Sequence, residues 1–131
     1  MLEIEIKKIK SNFENFFSQE YFHSSLLQWV FIASLALNIG NWLFIAFFIR
    51  PVDFLIILHY NVYFGVDLIG SWWQMYLMPL IGLLIAFANA FLGYLFYQRK
   101  ERIVAHLLML ATLIVQVGIS IAVAGLLLIN Y

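Results

Sequence analysis

Three apolar runs without a single Asp, Glu, Lys or Arg dominate the chain: Leu26 to Ile49, Met75 to Tyr97 and Ile103 to Asn130. An α-helix rises 1.5 Å per residue, so about 20 residues cross the roughly 30 Å of hydrocarbon in a bilayer. Each run exceeds that length, and the third requires tilt or a protruding turn. The pattern predicts three transmembrane spans, about 26–49, 75–97 and 103–130. Residues 1–25 differ. There Leu2, Ile6, Ile9, Phe13, Phe16 and Phe17 recur at helical spacing with Lys, Glu and Asn between them, which predicts an amphipathic helix lying on a membrane surface. A docking helix for a cytoplasmic partner is the alternative for this segment. Ser24-Ser25 offers a cap for the first span.

The segment 50–74 between the first two runs is too apolar for a solvated linker and too short to fold alone. Phe54 to Phe64 is rich in β-branched and aromatic residues and bounded by Pro51 and Gly65, which predicts an extended stretch followed by a turn. In such a strand His59, Asn61 and Tyr63 share one face, and Leu58, Tyr60, Val62 and Phe64 the other. Gly70 and Ser71 then make a second turn before Trp72-Trp73. The expected fold is an all-α integral membrane protein: an amphipathic segment 1–25, then a three-span domain 26–131 with an inner loop 98–102. Its outer loop is expected to be ordered, a short hairpin being one form.

Composition agrees. The chain has 131 residues, 65% hydrophobic and 11% charged, with mean hydropathy +0.96; a soluble domain of this size would carry far more charge. The first run is too long for the h-region of a signal peptide and reads as a retained span. The basic residues set the orientation. Lys7, Lys8 and Lys10 precede the first span, Arg99, Lys100 and Arg102 lie between the second and third, and Arg50 stands alone in the other loop. The N-terminus is therefore expected inside and the C-terminus outside. Trp72, Trp73 and Tyr131 fit the outer interface, and Tyr21, Tyr94 and Tyr97 the inner one.

With no charge inside a span, a self-contained ion-coupled transporter is disfavoured. His106, close to the Arg99–Arg102 cluster, reads as interfacial. Amides occupy the middle of each span: Asn38, Asn89 and Gln116. Their helical-face neighbours are small or polar, namely Ser34 and Asn41 in the first span, Gly82, Ala86, Ala90 and Gly93 in the second, and Thr112 and Ser120 in the third. Small residues let helices approach and amides bond across the contact, so a glued bundle is expected; a polar cavity for a small ligand is the alternative. The absence of cysteine removes disulfides and thiolate metal sites. His59 and Asp67 are too few to specify a metal, and Asp67 can instead pin a turn. Nothing resembles a phosphate loop, a zinc-protease helix, a dinucleotide fingerprint or a nucleophile with triad partners. No enzyme activity, cofactor or nucleic-acid binding is expected.

His59-Tyr60-Asn61, followed by Gly65, Asp67, Gly70 and Ser71 and then an apolar helix with Pro79, resembles the domain of unknown function 1648. That domain occurs in the N-terminal part of SdpI-type immunity proteins and in small bacterial membrane proteins. The resemblance spans roughly residues 26 to 98. It implies a bacterial cytoplasmic membrane and an immunity or sensing role. Together with the aromatic outer loop, it leads to the expectation of a non-enzymatic protein that recognises a protein or peptide partner, as an assembly subunit or an immunity or sensor component. Partners besides the bilayer would be another membrane protein or a second copy. The alternative is an oligomeric carrier or lipid-handling protein with an amide-lined interface.

Overall fold

The computed structural model describes residues 1–130; Tyr131, expected at an interface, lies outside the described residues. Five helices and one hairpin follow in the order α1 (Leu2–Phe17), α2 (Glu20–His23), α3 (Ser25–Phe48), β1 (Ile56–Asn61), β2 (Gly65–Gly70), α4 (Leu77–Gln98) and α5 (Arg102–Asn130). A 3₁₀ turn over Trp72–Tyr76 leads into α4. Three helical stretches, Ser25–Phe48, Trp72–Gln98 and Arg102–Asn130, are long and apolar enough to cross a membrane. They match the three apolar runs to within a few residues.

The amphipathic segment is not one continuous helix. The chain leaves the helix at Ser18, and Gln19 is extended (φ −63°, ψ 148°) before α2 begins. The break lets Tyr21 turn inward, where it is buried against Leu27, Ala105 and Met109. Ser24 takes the N-cap position of α3, but its hydroxyl makes no capping bond. The expectation that it caps the helix through its side chain is therefore corrected: extended backbone at Ser24 is enough to begin α3, with the Gln28 N–H reaching the Ser24 carbonyl at 3.0 Å.

The long helices form one bundle in which α5 packs against both α3 and α4. The turn between α4 and α5 needs only three residues because α4 ends in a Schellman motif. Lys100 sits in the left-handed region at φ 63°. The Lys100 N–H bonds to the Tyr97 carbonyl at 3.1 Å and the Glu101 N–H to the Phe96 carbonyl at 2.9 Å, which satisfies carbonyls the helix end would leave open. Close approach of α4 and α5 depends on Gly82. A Cβ there would stand 2.6 Å from Ile119 Cδ1 and 3.2 Å from both Gln116 polar atoms.

Two buried clusters mark the ends of the bundle. At one end Tyr21, Leu27, Ala105 and Met109 pack together. At the other, Ile45 of α3, Ile49 just past its end, and Val123, Leu126 and Leu127 of α5 meet Ile56 of β1 and Met75 of the 3₁₀ turn. The hairpin is thus seated on the ends of the helices, and the loop joins the fold through its own apolar side.

Candidate functional site

The loop between α3 and α4 forms an antiparallel two-stranded hairpin. Its pairing runs from Ile56 opposite Gly70 to Asn61 opposite Gly65, with irregularities on either side of His59. The register leaves one extra residue on each strand, Leu58 on β1 and Asp67 on β2. Such bulges bend a strand and re-aim its side chains. Leu58 packs down onto the cluster at the helix ends. His59 and Asp67 stay exposed, and His59 Nδ1 lies 2.6 Å from Asp67 Oδ1.

Strict alternation along residues 58–64 is corrected by this geometry. The bulge interrupts the alternation and the strand ends at Asn61, so Tyr63 stands in the turn and shares no strand face with His59. The Asn61 side chain shapes that turn, its Oδ1 accepting from the Tyr63 N–H at 2.8 Å. Gly65 closes it with φ 76°, a conformation open to glycine at no steric cost. The tip residues Val62, Tyr63 and Phe64 are 84%, 89% and 84% exposed. Gly70 and Ser71 make no separate turn: Gly70 ends β2 and Ser71 takes the N-cap position of the 3₁₀ turn. There the Ser71 N–H donates to Gln74 Oε1 at 2.7 Å and the Gln74 N–H to the Ser71 carbonyl at 3.0 Å.

One residue that fixes the hairpin escaped the sequence reading. Asn130, at the last turn of α5, clamps Ile57 from both sides. Its Oδ1 accepts the Ile57 N–H at 2.8 Å, and its Nδ2 donates to the Ile57 carbonyl at 2.7 Å and to Leu126 O at 3.0 Å. The side chain behaves as an extra strand residue in β1's free edge. The available signal was an amide closing the apolar run 121–129.

Beneath the hairpin, the mid-helix amides form two groups. Asn38 Nδ2 donates to the Pro79 carbonyl at 2.8 Å and to Gln116 Oε1 at 3.1 Å, while its Oδ1 accepts from Trp42 Nε1 at 3.0 Å. Gln116 Nε2 donates to the Gly82 carbonyl at 2.8 Å. One network therefore ties all three long helices. Asn89 lies apart from it and bonds α5 through Thr112 Oγ1 at 3.0 Å. Ser34, Thr112 and Ser120 return their hydroxyls to carbonyls four residues earlier, those of Val30, Leu108 and Gln116. Asn41 is buried yet takes no part in either group.

At the opposite end, the Tyr21 hydroxyl donates to the Ala90 carbonyl at 2.8 Å and ties α2 to α4. Burial pushes the phenol up to about 12. His106 Nδ1 lies 2.7 Å from the Arg102 carbonyl, so that nitrogen carries the proton. Arg102 pairs with the exposed Glu20 at 3.0 Å and stands over the Tyr97 ring.

The chain is thus a three-helix bundle of membrane-spanning length, crossed by an amide network and crowned by an anchored hairpin. No family model, curated protein or solved structure matches it.

Proposed function

We infer that this is a non-enzymatic integral membrane protein whose hairpin recognises a protein or peptide partner on the outer side of a bacterial cytoplasmic membrane. Support for the membrane comes from the outside of the bundle. Fewer than a third of the residues in each apolar stretch are buried, and Trp29, Ile32, Leu43, Phe47, Leu84 and Ile114 all point outward. Water would make that surface intolerable, whereas hydrocarbon is its natural solvent. Lys7, Lys8, Lys10, Arg99, Lys100 and Arg102 then lie inside, with the hairpin outside.

The observation that carries the recognition reading is the contrast within the hairpin. Its base is clamped by Asn130 and seated on the buried Ile56, while its tip exposes three large apolar side chains beside the His59–Asp67 pair. A rigid base with an unpartnered aromatic tip holds its contact residues in place before binding, which reduces the ordering cost. The likeness of the His59-Tyr60-Asn61 … Gly65 … Asp67 … Gly70-Ser71 pattern to the domain of unknown function 1648 points towards an immunity or sensing component. An oligomeric carrier lined by Asn38, Asn89 and Gln116 draws less support, because those amides bond within one chain.

The test is extraction in native lipid with mass analysis of what stays bound. It compares the wild type with a Tyr63→Ser/Phe64→Ser pair and a His59→Ala/Asp67→Ala pair. A stoichiometric partner that is retained by the wild type and lost from both variants, at unchanged helicity, is the expected result. Partner binding indifferent to all four substitutions would remove the hairpin from the account.

A further inference from the structure

A groove of about 600 Å³ runs along the seam of α3 and α5, where small residues (Ala33, Ala36 and Gly40 on α3, Ala124 on α5) alternate with larger apolar ones such as Phe44 and Leu127. Asn41 lines it as well and is 4% exposed. Among the described residues its Nδ2 is the one buried side-chain nitrogen or oxygen without a hydrogen-bond partner. The contrast with Asn38, Asn89 and Gln116, each bonded inside the bundle, makes Asn41 an outlier. A buried amide left unpaired is costly; because Asn41 lines the groove, a turn of its side chain carries the closed-off Nδ2 into it, where an acceptor supplied from outside the chain can meet it.

Gly40 adds a second observation. A Cβ at this position would meet nothing within 4 Å. Glycine is the poorest helix former after proline, and no close approach inside this chain demands it. Ala33, Leu37, Gly40 and Phe44 also follow one another at intervals of 4, 3 and 4 residues, the spacing of a helix–helix seam. Small residues on such a seam let a second helix come close.

Lipid does not answer the amide. Asn41 is the seventeenth of the 24 residues of α3, about 7 Å from the helix midpoint. Ester carbonyls begin only at the edge of the hydrocarbon, about 15 Å from its centre. The acceptor must then come from a protein helix at the same depth. An amide is both donor and acceptor, so a two-fold axis that sets Asn41 against its own copy satisfies both at once. Two copies inserted in the same direction place that residue at equal depth.

We propose that the α3–α5 groove is the contact between two parallel copies of this chain, with the Asn41 amides paired across a two-fold axis. The proposal rests on the membrane reading above but is independent of the partner at the hairpin. It also separates self-association from transport, since no amide-lined pathway is needed for the dimer.

The chain contains no cysteine, so single cysteines report on the contact directly. Gly40→Cys, on the seam, and Ile39→Cys, exposed and about 100° around α3 on the side away from Leu37, Asn41 and Phe44, are oxidised in native membranes. The expected result is a species of twice 15.3 kDa from Gly40→Cys and little from Ile39→Cys. Asn41→Leu weakens association about tenfold, equivalent to about 1.4 kcal/mol, and Gly40→Leu abolishes it by blocking the approach. Neither change removes a hydrogen bond within the chain, so helicity and the monomer's stability serve as controls. Equal crosslinking at both positions, a monomer in native-lipid particles, or a different protein held in the groove would each overturn the proposal. Alkaline carbonate separates the two levels. A chain released from membranes fails the membrane reading itself, whereas a retained but monomeric chain fails the groove assignment alone.

Discussion

Asn38→Leu gives the sharpest perturbation of the bundle. The substitution keeps the side chain close in size and removes three hydrogen bonds: to the Pro79 carbonyl, to Gln116 Oε1 and from Trp42 Nε1. Two of these bonds cross between helices, where the average is about 0.6 kcal/mol each, and the third lies within α3; counted at the same value the direct loss is about 2 kcal/mol. Two groups are left behind. Gln116 is fully buried, and its Oε1 loses this partner, as does the part-buried Trp42 N–H. At the low end such an orphan costs about 1 kcal/mol, so the total reaches about 4 kcal/mol. Asn38→Leu/Gln116→Leu is informative beside it. It removes the orphaned oxygen, so it should cost less than the sum of the two single changes, a coupling that a double-mutant cycle measures. The assay is reversible unfolding in mixed micelles, followed by circular dichroism. Asn38→Leu within about 0.5 kcal/mol of the wild type, or strictly additive singles, would refute the view that this network holds the three helices together.

Other consequences can be checked separately. Asn130→Ala deprives Ile57 of both backbone partners; faster amide exchange confined to residues 56–70, with the helices unchanged, is expected, and unaltered exchange would deny Asn130 its clamping role. Tyr21→Phe removes the bond to the Ala90 carbonyl and should cost about 1 kcal/mol. The raised Tyr21 value, about 12 against an ordinary 10.0, also fixes a pH dependence. Below pH 10 the phenol is protonated whether folded or not. Between 10 and 12 the folded state holds the proton more tightly, so this contribution to stability falls as pH rises, by at most about 1.4 kcal/mol per pH unit. The difference between wild type and Tyr21→Phe isolates it, and a difference independent of pH from 9 to 12 would contradict the burial of that hydroxyl.

How much of this was legible from the chain depends on the distance over which each feature is determined. The long helices announce themselves through unbroken apolar runs, because length and lack of charge are local properties. Asn38 and Gln116 were visible as amides at mid-run, since polar groups there need partners. Which amide meets which was not visible: Asn38 joins Gln116, 78 residues away, while Asn89 turns to Thr112. The hairpin's extended character was readable from Phe54 to Phe64, but its register was not. Alternation assumes an unbroken pleat, and the extra residues Leu58 and Asp67 shift it. Asn130 gave only the weakest cue, because its role depends on where a strand 73 residues earlier comes to rest. Asn41 looked like another member of the amide set, and only its missing partner distinguishes it.

The central claim is that the hairpin stands outside a membrane crossed by the three long helices. Single cysteines at Tyr63, Lys8 and Lys100 in the cysteine-free chain, treated with a membrane-impermeant maleimide on intact cells, test it directly. Rapid labelling at 63, with 8 and 100 labelled only after the membrane is opened, is the expected result. Labelling at 8 and 100 with protection at 63 would contradict it, and so would equal labelling of all three.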